Sequence, residues 1–341
     1  MCGIIGILGK NDAAPLLLDG LKRLEYRGYD SAGIATLTDN GIERRRAEGK
    51  LVNLDKRLQE QPLSGTSGIG HTRWATHGVP NEENAHPHAT TKVVIVHNGI
   101  IENFQELKDE VMEGGAVLAS ETDTEVVAHL ITAYLDAGDA PKEATAKVLK
   151  RLQGAFSLGI LFAGEEDLMM AARRGTPLAI GVGDGEMFLG SDALALAQLT
   201  KRIIYLEDGD WAIMNRSGVD IFDENDNPIE RPTRLTELSG ATVGKGGYRH
   251  FMLKEIYEQP QVIGDTLHSY VNPANREVSL GDMDIDLSKV GKVTIIACGT
   301  SSYAALVAKY WMEGLVRIPV EVDVASEFRY RAAAMPEDGL A

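Results

Sequence analysis

The sequence predicts an α+β first part followed by the start of a parallel α/β unit, and three observations carry that expectation. Residues 2–8 and then 155–223 read as short strands broken by turns containing Gly and Asp. Helical periodicity is confined to a few segments, so helices are expected outside sheets that pack on each other. After a small, Gly-rich and basic stretch at 239–249, the pattern becomes strand, tight polar turn, helix, strand. The chain has 341 residues, a prior of two domains at roughly 150 residues each.

The elements follow in order. CGIIGIL at 2–8 is an apolar run read as a buried strand. Residues 12–24 read as a helix with Asp12 as N-cap, Pro15 in the first turn, and Leu17, Leu21 and Leu24 on one face. The loop EYRGYDSAG at 25–33 leads to a hairpin, 34–38 and 42–46, around Asp39-Asn40-Gly41, with the turn chemistry of type I′. Residues 68–71 and 93–97 read as strands, and the polar stretch between them as a loop. Thr122 and Glu125 predict a capping box for a helix that turns Val126, Val127, Leu130 and Ile131 inward. A second helix is expected from about Pro141 to Leu152. In the second part a helix starts at 252–258, a strand spans 293–297, a helix 304–312 and a strand 318–324. The expected domains are 1–240 and 251–341 with a linker at 241–250. The second is short for a domain and would hold a two-stranded parallel sheet, so it is expected to be incomplete at its C-terminal end.

Composition excludes several classes. The formal net charge is −16, and the short run Arg44-Arg45-Arg46 sits beside Glu43 and Glu48, so no basic footprint for nucleic acid is expected. No apolar run reaches the ~18 residues of a membrane span, and the N-terminus lacks a secretion pattern. The expectation is a cytoplasmic protein with no nucleic-acid or membrane partner. Two cysteines, Cys2 and Cys298, are too few for a disulfide framework.

Several residues could carry chemistry. If Met1 is removed, Cys2 combines a thiol nucleophile with an α-amine whose pKa lies near ~7.7–8.0, a base close to neutrality. Taken by position alone, it reads as a small apolar strand residue. His71, His77, His86, His88 and His97 crowd together, but no metal-ligand spacing is present and His86-Pro87-His88 is extended. They are read as loop histidines hydrogen-bonding to backbone rather than as the zinc site of a metallohydrolase. Asn98-Gly99, directly after a strand, could converge an amide and a backbone N–H on one oxygen, or form an ordinary turn. Arg73 and Asp123 could hold the carboxylate and ammonium of an amino acid, although Asp123 also suits a helix start. CGTSS at 298–302 places hydroxyls and backbone N–H groups at a helix N-terminus, where a phosphate or sugar fits.

Together these residues carry a resemblance. MCGI, EYRGYDSAG at 25–33, HTRWATHG at 71–78, NAHPH at 84–88, HNGIIEN at 97–103 and SETDTE at 120–125 occur in one order and spacing. FMLKEIYEQP at 251–260, ACGTSSYAA at 297–305 and ASEFRYR at 325–331 continue it. Across the chain the sequence resembles the isomerising glutamine–fructose-6-phosphate aminotransferases. The resemblance implies an N-terminal nucleophile hydrolase αββα sandwich, followed by an incomplete α/β sugar isomerase domain. It implies that Cys2 attacks the glutamine amide, with Asn98 and Gly99 as oxyanion hole. Arg73 and Asp123 would hold glutamine, and Trp74, Thr76 and His77 would belong to a loop closing over it. Cys298, Gly299, Thr300 and Ser301 would begin the fructose 6-phosphate site. No metal or organic cofactor is implied, and full-length members act as homodimers. The resemblance also implies isomerase residues beyond those present, so the alternative is a glutaminase alone or a non-catalytic sugar-phosphate-binding fragment.

Overall fold

Period-two alternation in the strands decides the layering of the first unit. The computed structural model describes residues 2–25, 28–75, 78–236, 247–272, 277–278 and 286–341. They fall into two units, Met1–Glu255 and Ile256–Ala341. Strand β1 (Gly3–Leu8) is buried along its whole length. Its Ile4 and Leu8 join one apolar cluster, and Ile5 and Ile7 another. A strand covered on both faces lies inside a stack of layers.

Two antiparallel sheets form the middle of that stack. The first has eight strands with β1 flanked by β10 (Met187–Gly190) and β4 (Ser67–Arg73), and β4 followed by β2 (Ser31–Thr38) and β3 (Gly41–Glu48). The second has seven strands, with β6 (Val93–Ile101), β7 (Gly154–Phe162), β8 (Met169–Arg174) and β12 (Trp211–Asn215) neighbours in that order. Ile4, Leu8 and Ile69 of one sheet meet Val94, Val96, Leu161 and Met169 of the other. Gly6 marks how close the sheets lie: a Cβ there would come 2.8 Å from Met169 Sδ. Outside the first sheet, α1 (Ala13–Leu24) and α2 (Leu51–Glu60) bury Leu17, Leu21 and Leu54 against Ile5, Ile7 and Ile34. Outside the second, α4 (Asp123–Asp136) and α5 (Pro141–Leu149) bury Val127, Ile131 and Val148 against Ile95, Leu158 and Ile160. Each such side chain contributes about 1.5–3 kcal/mol. The fold is an αββα sandwich.

The structure corrects several local expectations. Helices α2 and α3 (Phe104–Glu113) were not expected from the sequence. Each buries only two residues, Leu51 and Leu54 or Leu107 and Val111, too short a stripe to give a clear period. The 39–41 turn is not type I′, because neither Asp39 nor Asn40 has positive φ; the left-handed residue is Gly41, at φ 100°. The capping box is not formed. Thr122 is the N-cap of α4 without a side-chain cap bond, and the Glu125 carboxylate accepts instead from the Ala119 and Ser120 N–H groups at 2.9 and 2.6 Å. Asp12 likewise caps α1 by position only.

The second unit opens within the helix Phe251–Tyr270, which holds Pro260. Lys292–Ala297 pairs in parallel with Val320–Val324 on one side and with a short third strand, Gly339–Leu340, on the other. The sheet therefore has three strands rather than the expected two, with the helix Thr300–Leu315 connecting the longer pair. Of the expected linker, residues 241–246 lie outside the described residues. Among the described residues, no helix is long and apolar enough to cross a membrane.

Candidate functional site

The alternation that builds the core also builds the site. Cys2, His71 and Asn98 lie two residues beyond the inter-sheet residues Ile4, Ile69 and Val96, so they share that face. The sandwich is apolar at its centre and polar at this end. Cys2 is half-buried. The Trp74 N–H donates to its Sγ at 3.2 Å, and the thiol is 3.4 Å from Trp74 O. Burial pushes the Cys2 thiol above its ordinary value, against the opposing pull of the Trp74 amide. The segment after Arg73 is fastened in turn by Asp30 at the start of β2. Its carboxylate accepts from the Ala75 N–H, and its own N–H donates to Arg73 O at 3.2 Å. Trp74 is half exposed and meets Tyr29 edge to face, ring centroids 5.8 Å apart.

Asn98 and Gly99 are not at a strand end, as the sequence predicts, but inside β6. Asn98 Nδ2 donates to Cys2 O at 3.2 Å, tying the second sheet to the N-terminal segment. Gly99 has φ 125°, and a Cβ there would lie 2.0 Å from Ala155 O on β7. Only glycine lets β6 pass that point in this conformation.

Arg73, the last residue of β4, is buried and donates to Val79 O at 3.3 Å and Gly78 O at 3.4 Å. Burial lowers its pKa, opposed by Asp30, Cys2, Asp123 and Glu121. Asp123 opens α4, and its Oδ2 accepts from the Ile101 N–H at 2.9 Å, so it holds the end of β6 rather than capping its own helix. Cys2, Arg73, Trp74, Gly99 and Asp123 line one small cavity. Thr76 and His77 lie outside the described residues.

His71, His86, His88 and His97 are buried together beside the cavity, and His86 and His97 line it. His86 Nε2 and His97 Nδ1 both meet Thr124 Oγ1, at 2.8 and 2.9 Å, and His88 Nε2 meets Thr122 Oγ1 at 3.0 Å. These three meet side-chain hydroxyls where bonds to backbone are expected, while His71 Nε2 does meet a backbone carbonyl, His97 O at 3.0 Å, together with Asn98 Oδ1. Burial holds His71 and His88 neutral, at about 3 each, and His86 well below its ordinary value. Among the described residues, no three His, Cys, Asp or Glu side chains are placed to hold a metal ion.

In the second unit, Cys298 follows the strand Lys292–Ala297 and is exposed. Gly299 turns the chain at φ 61°, and Thr300 and Ser301 open the helix. Ser302 closes the turn, donating through N and Oγ to Gly299 O at 3.1 and 2.7 Å. Sequence reasoning missed Asp30 and Thr124 as parts of the site. Both lie in the conspicuous segments EYRGYDSAG and SETDTE, yet their partners come from other elements distant in sequence, which spacing does not reveal.

Residues 71–198 match the glutamine amidotransferase domain family, and residues 286–341 the SIS domain family. The chain is 58% identical over 341 residues to the glutamine--fructose-6-phosphate aminotransferase [isomerizing] of Brucella abortus biovar 1 (strain 9-941), covering 100% of this chain and 56% of that protein. It is 57% identical over 340 residues to the protein of the same name from Zymomonas mobilis, covering 100% of this chain and 56% of that protein. The chain spans about half the length of the curated relatives it matches. In fold it is similar to the glutamine phosphoribosylpyrophosphate amidotransferase from B. subtilis, with TM-score 0.59 at 22% identity, covering 94% of this chain and 65% of that one. Over its whole length the chain is similar to the glutamine–fructose-6-phosphate aminotransferases, with a glutamine amidotransferase domain match followed by a SIS domain match.

Proposed function

We propose that the first unit hydrolyses L-glutamine to glutamate and ammonia with Cys2 as nucleophile. The observation that carries this reading is the convergence on Cys2 of the Trp74 N–H at its sulfur and the Asn98 amide at its carbonyl. Because burial raises the thiol pKa, the sulfur needs a proton acceptor at hand. With Met1 removed, the α-amine of Cys2 supplies one. The thiolate adds to the side-chain amide carbon of glutamine, and the carbonyl oxygen becomes an oxyanion. Asn98 Nδ2 has two N–H bonds, one on Cys2 O and one for that oxygen, and Gly99 N–H is the second donor. Collapse breaks the C–N bond, and the departing amine takes the proton from the α-ammonium. Water then hydrolyses the thioester. Arg73 and Asp123 bind the carboxylate and ammonium of glutamine, and Trp74, Thr76 and His77 close over it.

We also propose that the ammonia is destined for fructose 6-phosphate, the substrate in the relatives' names, with Cys298, Gly299, Thr300 and Ser301 in the sugar-phosphate site. The proposed domains are 1–240 and 251–341. Glutamate release by purified chain, with intact mass spectrometry to score Met1 removal, tests the first proposal. Processed chain should release glutamate and chain retaining Met1 should not. Equal activity of the two forms would overturn the role of the amine, and no activity in either would overturn the glutaminase. Calorimetric titration with fructose 6-phosphate tests the second.

A further inference from the structure

One contact in the polar layer decides how the Asn98 amide points. His71 Nε2 lies 3.0 Å from His97 O and 3.0 Å from Asn98 Oδ1. A backbone carbonyl only accepts, so Nε2 carries the proton and the ring is the Nε2–H tautomer. The Asn98 atom facing that N–H must then accept, which makes it Oδ1. On the other side of the amide, Nδ2 meets Cys2 O at 3.2 Å, a second group that only accepts. Two contacts thus select the same orientation independently of each other. His71 reaches across the sandwich to make its contact, from β4 in the first sheet to β6 in the second. The ring is fully buried and stacks on His86, centroids 4.2 Å apart. Among the described residues its Nδ1 has no hydrogen-bond partner, which a bare lone pair tolerates better than the N–H of a charged ring would. Burial holds the ring at about 3, so it remains a neutral donor through the physiological range.

We propose that His71 is a positioning residue for glutamine hydrolysis: its Nε2–H locks the Asn98 side chain with Oδ1 inward and Nδ2 toward Cys2, preorganising the oxyanion donor. The inference rests on the reading of Asn98 as that donor. Without the lock the amide could turn its acceptor toward the developing negative charge, where it repels instead of stabilising.

The test is steady-state glutaminase kinetics of the 341-residue chain with Met1 removed. His71→Leu deletes the donor, and His71→Gln returns an N–H near the same place. His71→Leu should lose about 10–100-fold in kcat with KM little changed, the scale for a supporting group behind a reacting one. His71→Gln should recover most of that loss. On an Asn98→Ala background, His71→Leu should cost nothing further, since the group it positions is gone. Alkylation of Cys2 by iodoacetamide, which forms no oxyanion, should proceed at the parental rate in each variant. Wild-type kcat in His71→Leu beside an impaired Asn98→Ala would overturn the role of His71 alone. An unimpaired Asn98→Ala would overturn the oxyanion reading beneath it. Additive losses, or a kcat loss matched by slowed alkylation, would show a structural role only and overturn the proposal. Nitrogen-15 NMR of the unaltered chain decides the case even if His71→Leu does not fold. A neutral Nε2–H ring between pH 6 and 8 supports the proposal, and an Nδ1–H tautomer or a charged ring overturns it.

Discussion

Cys2 and Cys298 both flank a strand in a chain with two cysteines, yet their surroundings differ. Cys2 precedes a central strand of an eight-stranded sheet and takes a backbone N–H at its sulfur from the residue following β4. A second sheet brings Asn98 to its carbonyl. Cys298 follows a strand of a three-stranded sheet and is exposed. Beside it the helix Thr300–Leu315 buries only Ala305 among its residues and leaves Tyr303, Tyr310 and Trp311 uncovered. What sets the strand-end Cys2 apart, and supports the proposed reaction there, is that groups from two sheets converge on it. Strand position by itself gives a thiol and nothing more.

The broadest way to break that comparison is to delete each thiol. Cys2→Ala should abolish glutamate release while leaving the fold intact, and Cys298→Ala should leave glutaminase activity at the parental rate. An active Cys2→Ala would remove the basis for treating the two differently. Next in size is the convergence itself. Asn98→Ala should lower kcat by ~10²–10³ with modest change in KM, because the contact strengthens as charge develops. A rise in KM at constant kcat would make Asn98 a ground-state binding group.

Smaller effects sharpen the packing side. Gly99→Ala places a Cβ against Ala155 O at a left-handed position. Strain of about 1–3 kcal/mol before any clash predicts a fall in Tm of roughly 2–12 °C, read by calorimetry. An unchanged Tm would mean that β6 shifts freely there. The buried histidines give the smallest predicted effect near neutrality. Unfolded histidine titrates near ~6.5, while His71 and His88 are held at about 3 in the folded chain. Below about pH 6.5 the unfolded state therefore binds protons that the folded state refuses. Stability is fully present above that pH and falls as pH drops toward 3, by roughly 2 kcal/mol per histidine at pH 5. Urea midpoints followed by fluorescence of Trp211, buried in the first unit, should fall between pH 7 and 5. A constant midpoint would mean that the layer takes up protons without unfolding.

The sequence by itself determined the elements with strong local signals. The apolar run at β1, the leucine face of α1 and the inward residues of α4 are short-range patterns fixed by strand and helix periods. It also exposed the segments from which the site is drawn, including Cys2, Arg73, Asn98 and Asp123. Helices α2 and α3 were not legible because each buries two residues, and the Thr122–Glu125 spacing misled because Glu125 found closer donors in Ala119 and Ser120. The tertiary structure alone decided what the site residues do to one another. Asp123 holds Ile101, Asp30 holds Ala75, and His71 sets the Asn98 amide, each across a gap of 22 to 45 residues. The physical reason is that hydrogen-bond geometry depends on which face of which layer a side chain occupies. Sequence period gives the face, but only the stacking of two sheets says which faces meet.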